Sequence, residues 1–282
     1  MASKGASVFT KVQKWNRRKG PAITLSKSLS RSLFGNEAGF ANNIDGIVKT
    51  GRARSAGFGA RDALTRDFLR DGFAVLPYRI DVEAFKDQYL TQIEDPEFSL
   101  GRGRRGASRM LKAPEKTLPA YRSVMSDAVR QTFSDAYLGN FEVFSFHLYR
   151  THHVVQAAGE QVYSDFWHFD WRSTAQYRLF FNLSDVTADD GPLLINSIDR
   201  SKTLVKSGQW KSRLEYDGQE CDREATALIG PPGTAMICNT TLCLHRASVP
   251  AAGRTRDISS VQFMPARHAL PDDWMTGLYQ NP

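Results

Sequence analysis

Within Trp167-His168-Phe169-Asp170-Trp171 lie the residues best suited to chemistry. Side chains on an extended strand alternate between faces, so His168 and Asp170, two residues apart, point the same way. A neutral imidazole beside a carboxylate supplies two of the three protein ligands of a 2-His-1-carboxylate iron site, which leaves coordination positions open. His245, 75 residues after Asp170, offers the third ligand. Arg256 follows eleven residues later. A guanidinium stays charged when buried and gives paired hydrogen bonds to a carboxylate. Such a set would hold ferrous iron chelated by the keto acid end of 2-oxoglutarate. The distal carboxylate would rest on Arg256, and a position would stay open for dioxygen. Arg254 is the rival cation, and its expected role is a surface ion pair.

These residues need strands to bring them together. From Phe141 onward short β-type runs are predicted at 141–150, 161–170, 177–185, 193–196, 225–229, 234–239, 243–248 and 256–264. Turn signals separate them, among them Asp190-Gly-Pro and Gly230-Pro-Pro-Gly233. Helical spacing comes earlier. Leu64, Phe68 and Leu69 mark a helix closed by Gly72; Val82, Phe85, Tyr89 and Ile93 mark a second; Met125, Val129 and Phe133 mark a third. About eight strands with helices grouped before them predict a mainly β fold with flanking helices. The expected architecture is a double-stranded β-helix, a cupin-like jelly roll, rather than a parallel α/β sheet. On the first strand His147 and Tyr149 share a face that would line the cofactor pocket. Phe144, Phe146 and Leu148 share the other, expected to pack into the core.

Composition sets the remaining bounds. The chain of 282 residues is 41% hydrophobic and 24% charged, ordinary for a globular protein, and has no apolar run long enough to span a membrane. Cys221, Cys238 and Cys243 form no C-x-x-C pair, which favours a reducing, cytoplasmic setting and argues against structural zinc. The net charge of +7 is uneven, since residues 1–36 hold eight Lys or Arg and no acid. Residues 1–58 are expected to form a basic, largely irregular arm before a catalytic domain over 59–282. The arm also resembles an organellar transit peptide, a reading ranked below a loose arm over its own domain. The basic stretch 101–109 is expected to be a surface loop.

Several stretches together resemble the phytanoyl-CoA dioxygenase-like family of Fe(II)/2-oxoglutarate oxygenases, over about residues 65 to 266. Phe68-Leu-Arg-Asp-Gly-Phe-Ala-Val-Leu-Pro77 looks like the family's opening helix and strand, and Trp167-His-Phe-Asp170 like its metal motif. Leu183-Ser-Asp-Val-Thr-Ala-Asp-Asp-Gly-Pro-Leu193 and Leu244-His-Arg246 are similar to the segments around the later strands. The resemblance implies iron held by His168, Asp170 and His245, and 2-oxoglutarate held by Arg256. It also implies that Phe180 and Asn182 lie on the strand lining the co-substrate pocket. The implied reaction hydroxylates a small molecule with release of succinate and carbon dioxide. In related halogenases a small residue replaces the carboxylate, so Asp170 points to hydroxylation. Two departures stand out. Asn196-Ser-Ile-Asp199 replaces a Gly-Ser-His turn, and Ala247 stands where a hydroxyl often assists the co-substrate. The competing reading is a jelly-roll binding protein with a degraded site that contacts anionic partners through its basic arm. Nucleic acid is not the expected partner.

Overall fold

The computed structural model describes residues 21–55, 62–102, 107–155 and 164–275. In chain order the helices are α1 (Pro21–Phe34), α2 (Phe40–Ser55), α3 (Ala63–Asp71), α4 (Glu83–Glu94), α5 (Asp127–Tyr137) and α6 (Ile198–Lys206). Short helical turns lie at Pro114–Thr117 and Gly218–Asp222, and 3-10 segments at Pro119–Val124 and Ala188–Asp190. Among the described residues twelve strands run from β1 (Phe73–Val75) to β12 (Thr255–Pro265).

Seven strands form the large sheet in the order β1, β10 (Ala235–Cys238), β5 (Tyr177–Asn182), β12, β4 (Phe141–His152), β3 (Ser108–Leu111) and β2 (Ser99–Arg102). The small sheet holds β11 (His245–Ala247), β6 (Leu193–Ile195) and β9 (Thr226–Ala227), with His168 bridged antiparallel to His245 at its edge. The two sheets face each other as the walls of a double-stranded β-helix. β7 (Trp210–Ser212) and β8 (Glu215–Tyr216) make a separate hairpin.

Local chemistry explains the elements. Asp62 caps α3 by accepting from the Thr65 amide at 2.7 Å, and Gly72 closes it with φ of 82°. A Cβ at Gly72 would sit 2.4 Å from Cys243 Sγ, so glycine also allows the close approach of β1 to the 239–243 turn. The outer face of the large sheet packs against α4 and α5 in one core that includes Phe85, Tyr89, Phe133, Phe146, Phe181 and Phe263. Burying such aromatic side chains contributes roughly 2–3 kcal/mol each.

Four expectations need correction. Residues 21–34 and 40–55 are helical, not irregular, while 1–20 and 56–58 lie outside the described residues. Their inward face carries small and polar groups (Ser30, Asn43, Gly46, Thr50), so the usual apolar-inward period is missing. The stretch 101–109 takes part in the β2–β3 hairpin at the edge of the large sheet, with 103–106 outside the described residues. Within 161–170 the described part is no continuous strand, because only His168 is bridged. Phe144 is exposed, because a register shift between Gln262 and Phe263 turns it away from Phe146.

Candidate metal centre

His168 and His245 meet because their backbones exchange two hydrogen bonds, each amide donating to the other's carbonyl at 3.1 Å. Their rings lie 4.3 Å apart between centroids. Asp170, one pleat on from His168, is fixed by its amide donating to the Thr240 carbonyl at 3.0 Å. His168 Nε2 lies 3.9 Å from Asp170 Oδ1, and His245 Nε2 lies 3.9 Å from Oδ2. One ligand atom from each of the three residues falls within 4.8 Å of the others, and no other such group of His, Cys, Asp or Glu occurs among the described residues.

The donor set fits a divalent metal. Each imidazole has Nδ1 against a backbone carbonyl, Phe166 O at 2.7 Å for His168 and Cys243 O at 3.2 Å for His245. An N–H at Nδ1 leaves the Nε2 lone pair free toward Asp170, the arrangement that orients metal-ligating histidines. Burial pushes His168 well below its ordinary range, reinforced by neighbouring His245 and Arg213. Burial lowers His245 as well. Both rings are therefore neutral at pH 7, as ligation requires. Burial alone would raise the Asp170 carboxyl, but Arg178, followed by the two imidazoles, holds it well below the usual carboxylate range.

Arg178 was not foreseen. It lies on β5 and reaches Asp170 Oδ2 at 2.6 Å, the same oxygen that accepts from Thr240 Oγ1 at 2.7 Å. Its alternation with Phe180 on β5 was the available signal, since both face the cavity.

The trio opens on a cavity of about 100 Å³ lined also by Tyr149, Thr151, Phe180, Arg256 and Ser260. Arg256 is buried, with Nη1 donating to the Gly191 carbonyl and Nη2 to Thr151 Oγ1 at 3.3 Å. Gly191 takes a left-handed conformation with φ of 71°, and a Cβ there would strike the backbone of residues 248–250. That turn can therefore bring a carbonyl to Arg256 only as glycine. Arg254 remains on the surface, 3.9 Å from Asp190.

Two expected pocket residues are placed differently. Asn182 is buried but turned to the 230–234 turn, where Nδ2 donates to the Gly230 carbonyl at 3.3 Å. His147 does not line the cavity; it packs behind Tyr149 with ring centroids 5.6 Å apart. Trp167 and Phe169 also face away from the cavity and pack with Trp210, Cys221 and Leu244. In place of the absent hydroxyl at Ala247, Ser260 presents one to the cavity.

The β-helix and the trio define a class of architecture, and solved structures share the fold. The α-ketoglutarate-dependent epimerase SnoN from nogalamycin biosynthesis is 13% identical, with a TM-score of 0.52 over 72% of this chain and 82% of its own. HygX from Streptomyces hygroscopicus, solved with nickel and 2-oxoglutarate, is 11% identical, with a TM-score of 0.54 over 75% and 89%. EctD from S. alaskensis, solved with 2-oxoglutarate and 5-hydroxyectoine, is 13% identical, with a TM-score of 0.54 over 73% and 77%. No protein-family model and no curated protein sequence matches the chain.

Proposed function

We propose that this chain is a non-haem Fe(II)- and 2-oxoglutarate-dependent oxygenase that hydroxylates a small molecule. The observation that carries the reading is the convergence of His168, Asp170, His245 and Arg256 on one cavity. His168 and His245 would bind iron through Nε2, and Asp170 through the oxygen not shared by Arg178 and Thr240. Bound iron and keto acid together supply dioxygen activation, with 2-oxoglutarate leaving as succinate and carbon dioxide.

The protein's own contribution is geometry, charge and exclusion of water. Arg256 and the Thr151 hydroxyl would take the distal carboxylate, a charge-assisted pairing. Phe180, Leu193 and Ile258 present apolar surface along the cavity and keep bulk water from the co-substrate. Arg178 neutralises Asp170 and fixes its carboxylate plane. Retention of the carboxylate at position 170 favours hydroxylation over halogenation. The resemblance of residues 65–266 to phytanoyl-CoA dioxygenase-like enzymes supports the same reading. HygX and EctD, which share the fold, were solved with 2-oxoglutarate.

Anaerobic titration with Fe(II) and then 2-oxoglutarate tests the site without knowledge of the substrate. The expected result is a visible metal-to-ligand charge-transfer band that requires both components and is missing in Asp170→Ala. A band of equal strength in that variant, or none in the wild type, would overturn the proposal.

A further inference from the structure

The pair α1 and α2 is built inside out. On α1 the exposed apolar positions are Leu25, Leu29 and Leu33, at 62%, 41% and 63% exposure, each four residues from the next. On α2 they include Phe40, Ile44, Ile47 and Val48, with Val48 at 75%. The buried positions are polar or small: Ser30, Asn36, Asn43 and Thr50 are each 2% exposed or less. They are satisfied locally, with Asn43 Nδ2 reaching Ser30 Oγ, Asn36 Oδ1 and the Gly39 carbonyl.

Contacts fix the direction of the apolar stripes. The Phe40 amide donates to Ser26 Oγ and Asn43 donates to Ser30, so the helices lie side by side and run the same way. Both touch the domain through their other faces. Lys27 lies over the Trp171 ring, Asp45 accepts from Ser173 at 2.6 Å, and the Asn42 carbonyl accepts from the Thr174 amide. The stripes therefore face away from the β-helix. At Leu33 and Ile47 they run into a groove of about 530 Å³ floored by Leu69, Ile198 and Leu242, with Lys202 and Lys206 on its wall.

A contiguous apolar face of this kind marks a surface that something covers. Charge identifies the occupant. Residues 1–55 hold eleven Lys or Arg against two acids, net +9, whereas the remaining chain is −2. Within the described part Lys27 and Arg31 pair with Glu37 and Lys49 with Asp45, so the excess comes from the flanking stretches 1–20 and 51–55, with eight Lys or Arg and no acid. A second copy would bring +9 against +9. A nucleic acid would satisfy the charge but leave the leucines in water. An anionic lipid surface satisfies both, since stable peripheral attachment needs an apolar face together with a polybasic segment. We infer that the α1–α2 face docks the protein on an anionic membrane surface, with Leu25, Leu29, Leu33, Ile44 and Val48 entering the interface. The docking is peripheral, and no helix among the described residues is long and apolar enough to cross a bilayer.

The test is co-flotation of the full chain with vesicles of phosphatidylcholine alone or equimolar with phosphatidylglycerol. The wild type should float with the anionic vesicles only, and binding should weaken steeply with added salt. The double variant Leu29→Asp, Val48→Asp should bind about a hundredfold more weakly. Both positions are exposed, so its melting temperature and its Co(II) binding at the metal centre should match the wild type. That match separates this inference from the oxygenase reading. Equal binding by wild type and variant, or no binding by the wild type, would overturn it. So would a wild-type dimer in light scattering that the variant reduces to a monomer without vesicle binding, which would give the face to a second copy.

Discussion

The Arg178 guanidinium lies 2.6 Å from Oδ2 of Asp170, the carboxylate between the two histidines of the metal centre. Asp170 thus faces positive charge with or without an ion, and one of its oxygens is already occupied. Arg178 is partly a surrogate for the metal and partly the device that orients its carboxylate ligand.

This relationship can be taken apart. Arg178→Leu should weaken Fe(II) or Co(II) binding by about 10- to 100-fold while keeping the fold, as loss of an outer-shell partner typically does. Isothermal titration under argon measures it. Arg178→Lys should recover only part, because one ammonium cannot reproduce the planar fork.

Removing the carboxylate should act on stability as well as on ligation. Asp170→Ala leaves a buried guanidinium uncompensated, which costs about 3 kcal/mol in metal-free protein. Adding Arg178→Leu to that variant should return most of the loss. Urea unfolding of the four proteins in the cycle gives the coupling, and strict additivity would refute it.

Arg256 should separate co-substrate from metal. Arg256→Ala should weaken 2-oxoglutarate binding by about a hundredfold, as expected for truncating one partner of a buried charged contact. Co(II) affinity should stay within about twofold, because Arg256 is not one of the candidate ligands and donates to Gly191 and Thr151. Titrating the charge-transfer band against 2-oxoglutarate reads the first quantity, and calorimetry the second.

His147 should make the fold sensitive to acid. Burial first, then the Arg178 and Arg102 charges, push its imidazole down to about 4. In the unfolded chain it titrates near 6.5. Between those values the unfolded state binds a proton that the folded state does not. Stability contributed by neutral His147 is therefore complete above about pH 6.5 and lost as pH falls toward 4. His147→Gln should flatten the melting temperature over this window, as scanning calorimetry at several pH values would show.

Asp257 sits next to Arg256 but on the opposite face of β12. Arg150 grips both its oxygens at 2.8 Å, and the Tyr89 hydroxyl donates to Oδ1 at 2.9 Å. Asp257→Ala leaves Arg150 to Glu94 alone and the buried Tyr89 hydroxyl without its acceptor, and should cost about 2–3 kcal/mol in chemical denaturation. Metal affinity of the folded fraction should be unchanged.

The amino-acid order alone determined β4 to β6 and β9 to β12 and picked out the three candidate ligands, but not β2, β3, β7 or β8. Period-2 alternation fixes which side chains share a face, and H-x-D with a distant histidine and a following arginine is a local pattern that needs no coordinates. Helices α3, α4 and α5 were legible from their apolar spacing for the same reason. Arg178 was not, because its role comes from β5 lying between β10 and β12, a pairing that no local window contains. Asn182 and His147 could be assigned to a strand face but not to a neighbour, and the fold gave one to the Gly230 turn and the other to Tyr149. Helices α1 and α2 were missed because their apolar residues face outward, so the rule that apolar means inside misreads them. Their orientation was decided by tertiary hydrogen bonds of serine and asparagine, chemistry that sequence periodicity does not register.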